Sequence, residues 1–388
     1  MTGNIASVSW GDYLVFGEGD GRLHTPEALA RRMEHWREEL GATSLHWRVP
    51  HTMTPGRFHK APDYPETIES RSDIDWDFLH IVPECAHQQG LKAYLYVSIF
   101  DEGFPLAPPE VRAISYHNAM HGQHITWQSD FSRRHPNYAL VDRSGEIRQW
   151  GVLCLAYPQV REHFRRRFRV WLEGCEWDGL FVCTRSQSRP ADFADQFGFN
   201  EPIRQEYQER YGRDICAEDF DLQLWRDLRG EYLTLFLSEL REMTAALGMR
   251  LALGVPRGDV LGPPLSNLTL GWREWVGRGL LDELVINQNS SVCPSMWHDL
   301  WPMHRGYGYL QNYLDWHNLP SLSEQISETY APVFGHAGIS QLFVARQWDE
   351  RSHAEEQASR AHPVVSGLVY NTFRFDNPEA IQRGDWVA

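Results

Sequence analysis

Four acidic residues lie in two pairs, each shortly after a stretch of apolar and β-branched residues. Asp101 and Glu102 directly follow one such stretch, and Asp349 and Glu350 follow another. A carboxyl group that gives up a proton and a second carboxylate that attacks carbon or activates water are the two groups that glycosidic cleavage requires. We therefore predict that a catalytic pair is drawn from these four acids.

Aromatic residues are abundant, with 16 Trp, 15 Tyr and 18 Phe in the chain. Their rings present flat apolar faces that suit the C–H faces of a sugar, while side-chain amides bind its hydroxyl groups. Several aromatic and polar residues follow strand-like stretches or lie in the loops after them. The predicted substrate-binding residues are Trp10, Asp12, His46, Arg48, His51, Trp127, Arg185, Glu201, Asn287, Gln288, Trp348 and Asn371.

Arg185 ends an apolar stretch that contains Cys183. A guanidinium at the end of a buried strand needs a carboxylate partner, which either the protein or a ligand supplies. Arg185 is therefore either half of a structural ion pair or a binding group for a uronic acid or a sulfate.

Strand-like and helical stretches alternate along the whole chain, and this alternation is typical of parallel βα units. Eight such strands with right-handed crossovers close into a (β/α)8 TIM barrel, whose active site lies at the carboxyl ends of the strands. We predict one barrel domain over residues 1–388, with a long irregular insertion at 101–156 after the third strand. The predicted strands are 5–12, 43–49, 91–100, 177–185, 249–255, 284–287, 339–346 and 364–371.

The formal net charge of -15 argues against a nucleic-acid partner, because such binding depends on dense Lys and Arg. The basic stretch at 161–169 fits a solvated helix face. No run of eighteen apolar residues and no signal peptide is present, so we expect a soluble, cytoplasmic protein that binds no membrane. A leader ahead of Met1 would instead imply a periplasmic or secreted protein. The sequence carries no signal for an oligomeric state.

The six cysteines form no CxxC pair, so neither a zinc site nor a disulfide framework is indicated. His117, His121 and His124 form an H-x3-H-x2-H cluster that offers a metal site as an alternative. No acidic residue lies in the usual ligand register with them, and histidines in a loop also make hydrogen bonds to sugars. We therefore predict no metal and no cofactor.

Several segments together resemble a known family. They are SWGDY, HPNYALVDRSG, LAYPQVREHFRRRF, EWDGLFVCTR and DQFGFNEPIRQEYQERYG. They resemble the bacterial glycoside-hydrolase-like barrel proteins related to the family-10-like glycosidases, over roughly Ser9 to Gly212. The resemblance implies a TIM barrel and a carbohydrate substrate. Relatives commonly place an acid at the end of the strand that matches WDGLFVCTR, whereas this chain has Cys183, Thr184 and Arg185 there.

The segment Asn200-Glu201-Pro202 matches the Asn-Glu-Pro that closes the fourth strand of many sugar-cleaving barrels, in which its Glu is the acid/base. Here Glu201 lies sixteen residues after Arg185, and the segment fits a helix start with Asn200 as cap and Pro202 in the first turn. We therefore predict a helix that begins at Glu201 and ends at Gly212, and we keep Glu201 and Asp12 as reserve acids.

Three functions follow from these observations. The first is a glycoside hydrolase that uses a carboxylate pair at the carboxyl face of the barrel. The second is a polysaccharide or oligosaccharide lyase, in which Arg185 neutralises a uronate and a His or Tyr abstracts the proton. The third is a carbohydrate-binding barrel without catalysis, which the missing acid at the end of the fourth strand suggests.

Overall fold

Twelve β-strands form in the described part of this computed structural model, which covers residues 3–8, 23, 25–49, 76–100, 102, 129–184, 195–261, 267–288, 320–337, 340–346 and 352–376. The strands are β1 (Asn4–Val8), β2 (Ala42–Arg48), β3 (Lys92–Ser98), β4 (Ala139–Val141), β5 (Arg148–Leu153), β6 (Gly179–Cys183), β7 (Arg250–Gly254), β8 (Val260–Leu261), β9 (Leu268–Thr269), β10 (Glu283–Ile286), β11 (Gln341–Ala345) and β12 (Val365–Asn371).

Eleven α-helices form in the same residues. They are α1 (Pro26–Leu40), α2 (Phe78–Gln88), α3 (Asp130–Arg134), α4 (Pro158–Leu172), α5 (Glu201–Tyr211), α6 (Leu222–Ala246), α7 (Trp272–Gly277), α8 (Leu322–Gln325), α9 (Ala331–Ala337), α10 (Ser352–Ala361) and α11 (Thr372–Asp376). A π-helical turn, Ile326–Tyr330, joins α8 to α9. None of the described helices combines the length and the apolar character needed to cross a bilayer.

Eight of the strands form a closed barrel in the order β1-β12-β11-β10-β7-β6-β3-β2, and all eight pairs are parallel. This confirms the predicted (β/α)8 fold, and each barrel strand overlaps one of the eight predicted stretches. Apolar residues run continuously through several of these strands, such as LFVC in β6 and LVI in β10, as expected for strands that are covered on both faces.

Helix α1 shows how local sequence sets the ends of an element. The Thr25 hydroxyl accepts a 3.2 Å hydrogen bond from the Ala28 amide, and Pro26 occupies the first turn. Gly41 ends the helix in the left-handed region, at φ 62°, which glycine adopts at little cost. Between these ends, residues at helical spacing pack against the barrel, among them Met33 and Trp36.

The insertion after β3 differs from the irregular segment that we predicted. Where it is described, it contains α3 and an antiparallel hairpin of β4 and β5. The hairpin turns at Asp142, whose Oδ1 accepts hydrogen bonds from the amides of Glu146 and Ile147, both at 3.0 Å. Gly145 supplies a positive φ of 78° in this turn. The segment DRSG was therefore a turn signal between two short strands.

The interior of the barrel is a separate apolar cluster, distinct from the larger core between the strands and the helices. Alternate residues of each strand point inward, so aligned positions of neighbouring strands meet in layers. The buried members are Ile5, Tyr94, Tyr96, Phe181, Cys183, Ala252, Val285, Phe343 and Val369.

Candidate functional site

Polar side chains replace apolar ones in the inward-facing positions at the carboxyl end of the barrel, which we call the mouth. Arg48 aligns with Tyr96, Ser98 aligns with Cys183, and Asn371 aligns with Ser7 across neighbouring strands. The carboxyl ends of the strands are where TIM-barrel enzymes bind their substrates. The mouth is therefore the candidate functional site.

A chain of hydrogen bonds crosses the mouth. The Tyr96 hydroxyl donates to Cys183 Sγ at 3.1 Å, and Cys183 Sγ donates to Gln288 Oε1 at 3.4 Å. Gly254 lies beneath the carboxamide, since a Cβ at this position would come within 2.5 Å of Gln288 Oε1 and 2.7 Å of Phe181 Cζ. The side chains of Tyr96 in β3, Cys183 in β6 and Gln288 just after β10 thus meet above β7.

Arg48 lies in the same layer, and its guanidinium carbon is 5.5 Å from the centroid of the Tyr96 ring. Its side chain is buried, whereas Ser7 in the adjacent strand β1 and Asn371 in β12 are partly exposed. Ser7 and Asn371 thus keep some exposure at the mouth, on the side that β1 and β12 form. Arg48 and Asn371, both predicted to bind substrate, lie at this end of the barrel.

His46 lies one layer deeper than Arg48 and is 0% exposed. Its ring stacks on Phe181 with centroids 4.0 Å apart and lies 5.4 Å from the Tyr94 ring. Neither ring nitrogen has a hydrogen-bond partner among the described residues. Burial lowers the pKa of His46 to about 3, so the imidazole is neutral at physiological pH. His46, also predicted to bind substrate, thus forms part of the floor beneath the mouth.

Glu102 has the surroundings of a buried ion pair. Arg167 donates hydrogen bonds of 2.6 and 3.2 Å to its two carboxylate oxygens, and His163 Nε2 lies 3.8 Å away. Burial alone would raise the pKa of Glu102, but Arg167 and His163 hold it well below its usual range. Because Arg167 belongs to the outer helix α4, this carboxylate faces the helical layer rather than the barrel interior. These contacts argue against Glu102 as the proton donor.

Asn287 makes its side-chain contacts within the protein. It adopts a left-handed backbone conformation with φ 63°, and its Nδ2 donates to Ala345 O at 2.9 Å and to Glu355 Oε1 at 3.0 Å. These bonds tie the end of β10 to the end of β11 and to α10. They support a structural role for Asn287, whereas Gln288 beside it faces the mouth.

Glu201 is the first residue of α5, as predicted, and Gly212 ends the helix. The predicted cap is wrong in one detail, because the Asn200 side chain makes no capping bond and donates instead to Ala139 O at 2.8 Å. Glu201 is exposed and accepts a 2.6 Å hydrogen bond from Gln205. The segment that resembles a catalytic motif is thus a helix start anchored to the β4–β5 hairpin.

The other predicted site residues lie outside the described residues, as do the histidines of the alternative metal site. They are Asp101, Asp349, Glu350, Trp10, Asp12, His51, Trp127, Arg185, Trp348, His117, His121 and His124. Within the described residues, no group of three or more His, Cys, Asp or Glu side chains is arranged to hold a metal ion.

Sequence reasoning missed Tyr96, Cys183 and Gly254 as parts of the mouth. The signal was the alternation within the strands, since Tyr94, Tyr96 and Ser98 share one face of β3. A face that carries two tyrosines and a serine differs from the aliphatic face behind it. Which of the two faces points inward depends on the register with β2 and β6, and the sequence alone does not show it.

No protein-family profile and no curated protein matches the chain. Among solved structures, the glycoside hydrolase domain of PgaB (BpsB) from Bordetella bronchiseptica is similar, with a TM-score of 0.55 and 13% identity over 99% of this chain and 98% of that one. Alpha-L-fucosidase isoenzyme 2 from Paenibacillus thiaminolyticus aligns with a TM-score of 0.48 and 10% identity over 100% of this chain and 50% of that one. An alpha-amylase from Lactobacillus plantarum gives a TM-score of 0.47 and 13% identity over 96% and 72% of the two chains. The chain therefore has a TIM-barrel fold of the kind found in a glycoside hydrolase domain.

Proposed function

We propose that this protein is a carbohydrate-active enzyme that hydrolyses a glycosidic bond at the mouth of its barrel. The observation that carries the proposal is the alignment with the PgaB glycoside hydrolase domain along nearly the full length of both chains. The polar mouth above an apolar interior agrees with it, since sugars bind at the carboxyl ends of the strands in this fold. The relationship to the family-10-like glycosidases, inferred from segments between Ser9 and Gly212, is part of the same proposal.

The proposed catalytic pair combines Asp101, which follows β3, with Asp349 or Glu350, which follow β11. β3 and β11 are not neighbours in the barrel, so carboxylates at their ends are suited to flank a sugar from two sides. The ion pair with Arg167 makes Glu102 a poor proton donor, and Asp12 and Glu201 remain the reserve acids. The separation of the two carboxyl groups would decide between retention and inversion.

A carbohydrate-binding barrel without catalysis is the second candidate. It is favoured by the end of β6, where Cys183 points into the mouth and the Thr184 hydroxyl donates to Gly254 O at 2.7 Å. The segment from Gly179 to Thr184 contains no acid, so this strand supplies no proton donor of its own. Such a barrel would bind sugars and leave the glycosidic bond intact.

The experiment that tests the proposal is a screen of maltohexaose, chitohexaose and hexagalacturonate, which represent neutral, N-acetylated and acidic sugars. Mass spectrometry of the products separates hydrolysis, which adds water, from elimination, which leaves an unsaturated sugar. A parallel measurement of binding by tryptophan fluorescence identifies a protein that binds without turnover. A product that carries an added water supports the hydrolase. An unsaturated product indicates the lyase, and binding alone indicates the second candidate.

A further inference from the structure

One end of the Gln288 carboxamide is hydrogen-bonded within the protein, and the other end is not. Its Oε1 accepts a hydrogen bond from Cys183, whereas its Nε2 donates no hydrogen bond to any of the described residues. The residue is only 9% exposed, and its Nε2 is not one of the fully buried polar atoms without a partner. A primary amide carries two N–H donors, so Nε2 can bind an acceptor that reaches it through the mouth. A group that enters the mouth is therefore the natural acceptor.

The contacts around this carboxamide favour the orientation in which Oε1 lies toward Cys183. The Tyr96 hydroxyl donates to Cys183 Sγ, which leaves the single thiol hydrogen for Gln288 Oε1. With the oxygen held by the thiol, the Nε2 hydrogens point away from Cys183. Gly254 leaves room for the carboxamide, since any Cβ there would overlap with Gln288 Oε1. Residues of β3, β6 and β7 thus contribute to one orientation of the Gln288 carboxamide.

We propose that Gln288 binds an acceptor oxygen of the carbohydrate in the mouth, and that Cys183 and Tyr96 are positioning residues that hold its carboxamide for this contact. The acceptor is a hydroxyl, acetamido or carboxylate oxygen of the sugar, because each of these accepts from an amide N–H. This inference rests on the proposed function. It adds a role for Cys183, which lies at the strand end where the family that the segments between Ser9 and Gly212 resemble commonly carries an acid.

The test compares Cys183→Ala, Cys183→Ser and Gln288→Leu with the wild-type protein on whichever of maltohexaose, chitohexaose and hexagalacturonate is turned over or bound. Cys183→Ala removes the donor, so we expect kcat/KM or binding to fall about five- to tenfold, the effect of one hydrogen bond. Cys183→Ser keeps a donor and should restore most of this loss. Gln288→Leu should cause a fall at least as large as that of Cys183→Ala.

The double variant separates positioning from a general structural effect. If Cys183 acts through Gln288, Cys183→Ala has no further effect once Gln288 is Leu, and the two single changes are not additive. Additive losses would show that Cys183 acts independently and would overturn the positioning role. Unchanged kinetics and binding in Gln288→Leu would overturn the contact with the sugar.

A measurement without carbohydrate tests the positioning of Gln288 by Cys183 separately from the proposed function. The side-chain amide of Gln288 can be followed by NMR in protein labelled with ¹⁵N at glutamine side chains and assigned with Gln288→Leu. We expect Cys183→Ala to shift this resonance and Cys183→Ser to leave it near its wild-type position. If no sugar of the panel is turned over or bound, the proposed function is wrong. An unshifted amide resonance in Cys183→Ala overturns the positioning role in either case.

Discussion

The Tyr94 hydroxyl donates a 2.6 Å hydrogen bond to Glu283 Oε1 and thereby joins β3 to β10 across the interior of the barrel. The two strands are not neighbours, since β6 and β7 lie between them. Arg250 Nη2 lies 3.4 Å from the same oxygen. Burial raises the pKa of Glu283, while the Tyr94 hydrogen bond and the Arg250 charge oppose this rise. This bond therefore stabilises a buried carboxyl group at the end of the barrel opposite to the mouth.

Replacing Tyr94 by Phe should lower the free energy of unfolding by about 1–3 kcal/mol, because a buried carboxyl group loses a hydrogen-bond donor. Urea-induced unfolding measures this change. Tyr211→Phe is the matched control, since the part-exposed Tyr211 makes ring contacts and its hydroxyl has no hydrogen bond in the described structure. Equal unfolding free energies for the two variants would contradict a stabilising role of the bond.

The neutral imidazole of His46 should make stability depend on pH. Its pKa is about 3 in the folded protein and about 6.5 when unfolded, so the unfolded chain binds more protons between these values. The contribution of neutral His46 to the free energy of unfolding is fully present above about pH 6.5. It is lost as the pH falls toward 3, by up to roughly 1.4 kcal/mol per pH unit.

His46→Leu removes this titration, and the difference in unfolding free energy between variant and wild type cancels the other titrating groups. The variant should gain stability relative to the wild type as the pH is lowered from 7 to 4. A difference that stays constant over this interval would show that His46 is not held neutral in the folded protein.

Glu102→Gln should destabilise the protein by roughly 3–5 kcal/mol, because it leaves the largely buried Arg167 without its charged partner. Arg167→Met should cost a similar amount, and the double change should cost less than the two single losses added together. Thermal and denaturant unfolding of the three variants measure this coupling. Loss of turnover in Glu102→Gln with unchanged stability would instead identify Glu102 as a catalytic acid.

The proposed catalytic carboxylates predict large effects on turnover. Asp101→Asn and the double change Asp349→Asn with Glu350→Gln should each lower kcat by about 10²- to 10⁴-fold while the fold is retained, because positioned proton transfer or nucleophilic attack is lost. Glu176→Gln is the control, because this exposed carboxylate precedes β6 and so lies at the end of the barrel opposite to the mouth. Wild-type turnover in both carboxylate variants would eliminate the proposed pair.

Gly230 should tolerate no side chain, although it lies within α6. A Cβ there would come within 2.3 Å of Thr269 O in β9, so Gly230→Ala should destabilise the protein by about 1–3 kcal/mol despite the higher helix propensity of alanine. Gly277→Ala in α7 is the matched control, because nothing lies within 4 Å of the added carbon. Calorimetric melting temperatures that rise in both variants would show that α6 moves away from β9 at little cost.

The barrel could be predicted from the sequence because its strands are covered on both faces and therefore read as continuous apolar stretches. LFVC of β6 and LVI of β10 are examples, and each lies between polar or glycine-containing segments. The β4–β5 hairpin was missed because its strands are short, with three residues in β4 and six in β5. Its signal was the turn around Asp142, and a turn alone does not specify the pairing on either side.

The site was less predictable because side-chain direction after a strand end depends on tertiary contacts. Asp101 and Glu102 are adjacent acids in the sequence, yet the direction of Glu102 is set by Arg167, which lies 65 residues away on α4. Similarly, Asn287 and Gln288 are adjacent amides, and the left-handed backbone at Asn287 sends one toward α10 and leaves the other at the mouth. The spacing of residues in the sequence encodes neither the direction of Glu102 nor the separate directions of Asn287 and Gln288.

The parallel pairing of β1 with β12 brings together residues that lie near the two ends of the described chain. Asn4 Oδ1 accepts a hydrogen bond from the Leu368 amide at 3.0 Å, and the Trp36 indole donates to Asp376 at 3.2 Å. On the ribosome, β1 therefore waits for its partner strand β12, whose Leu368 is synthesised 364 residues after Asn4. Until β12 has been synthesised, the edge of β1 that pairs with it is open to other chains, so we expect protection of the nascent chain over that interval to favour productive folding.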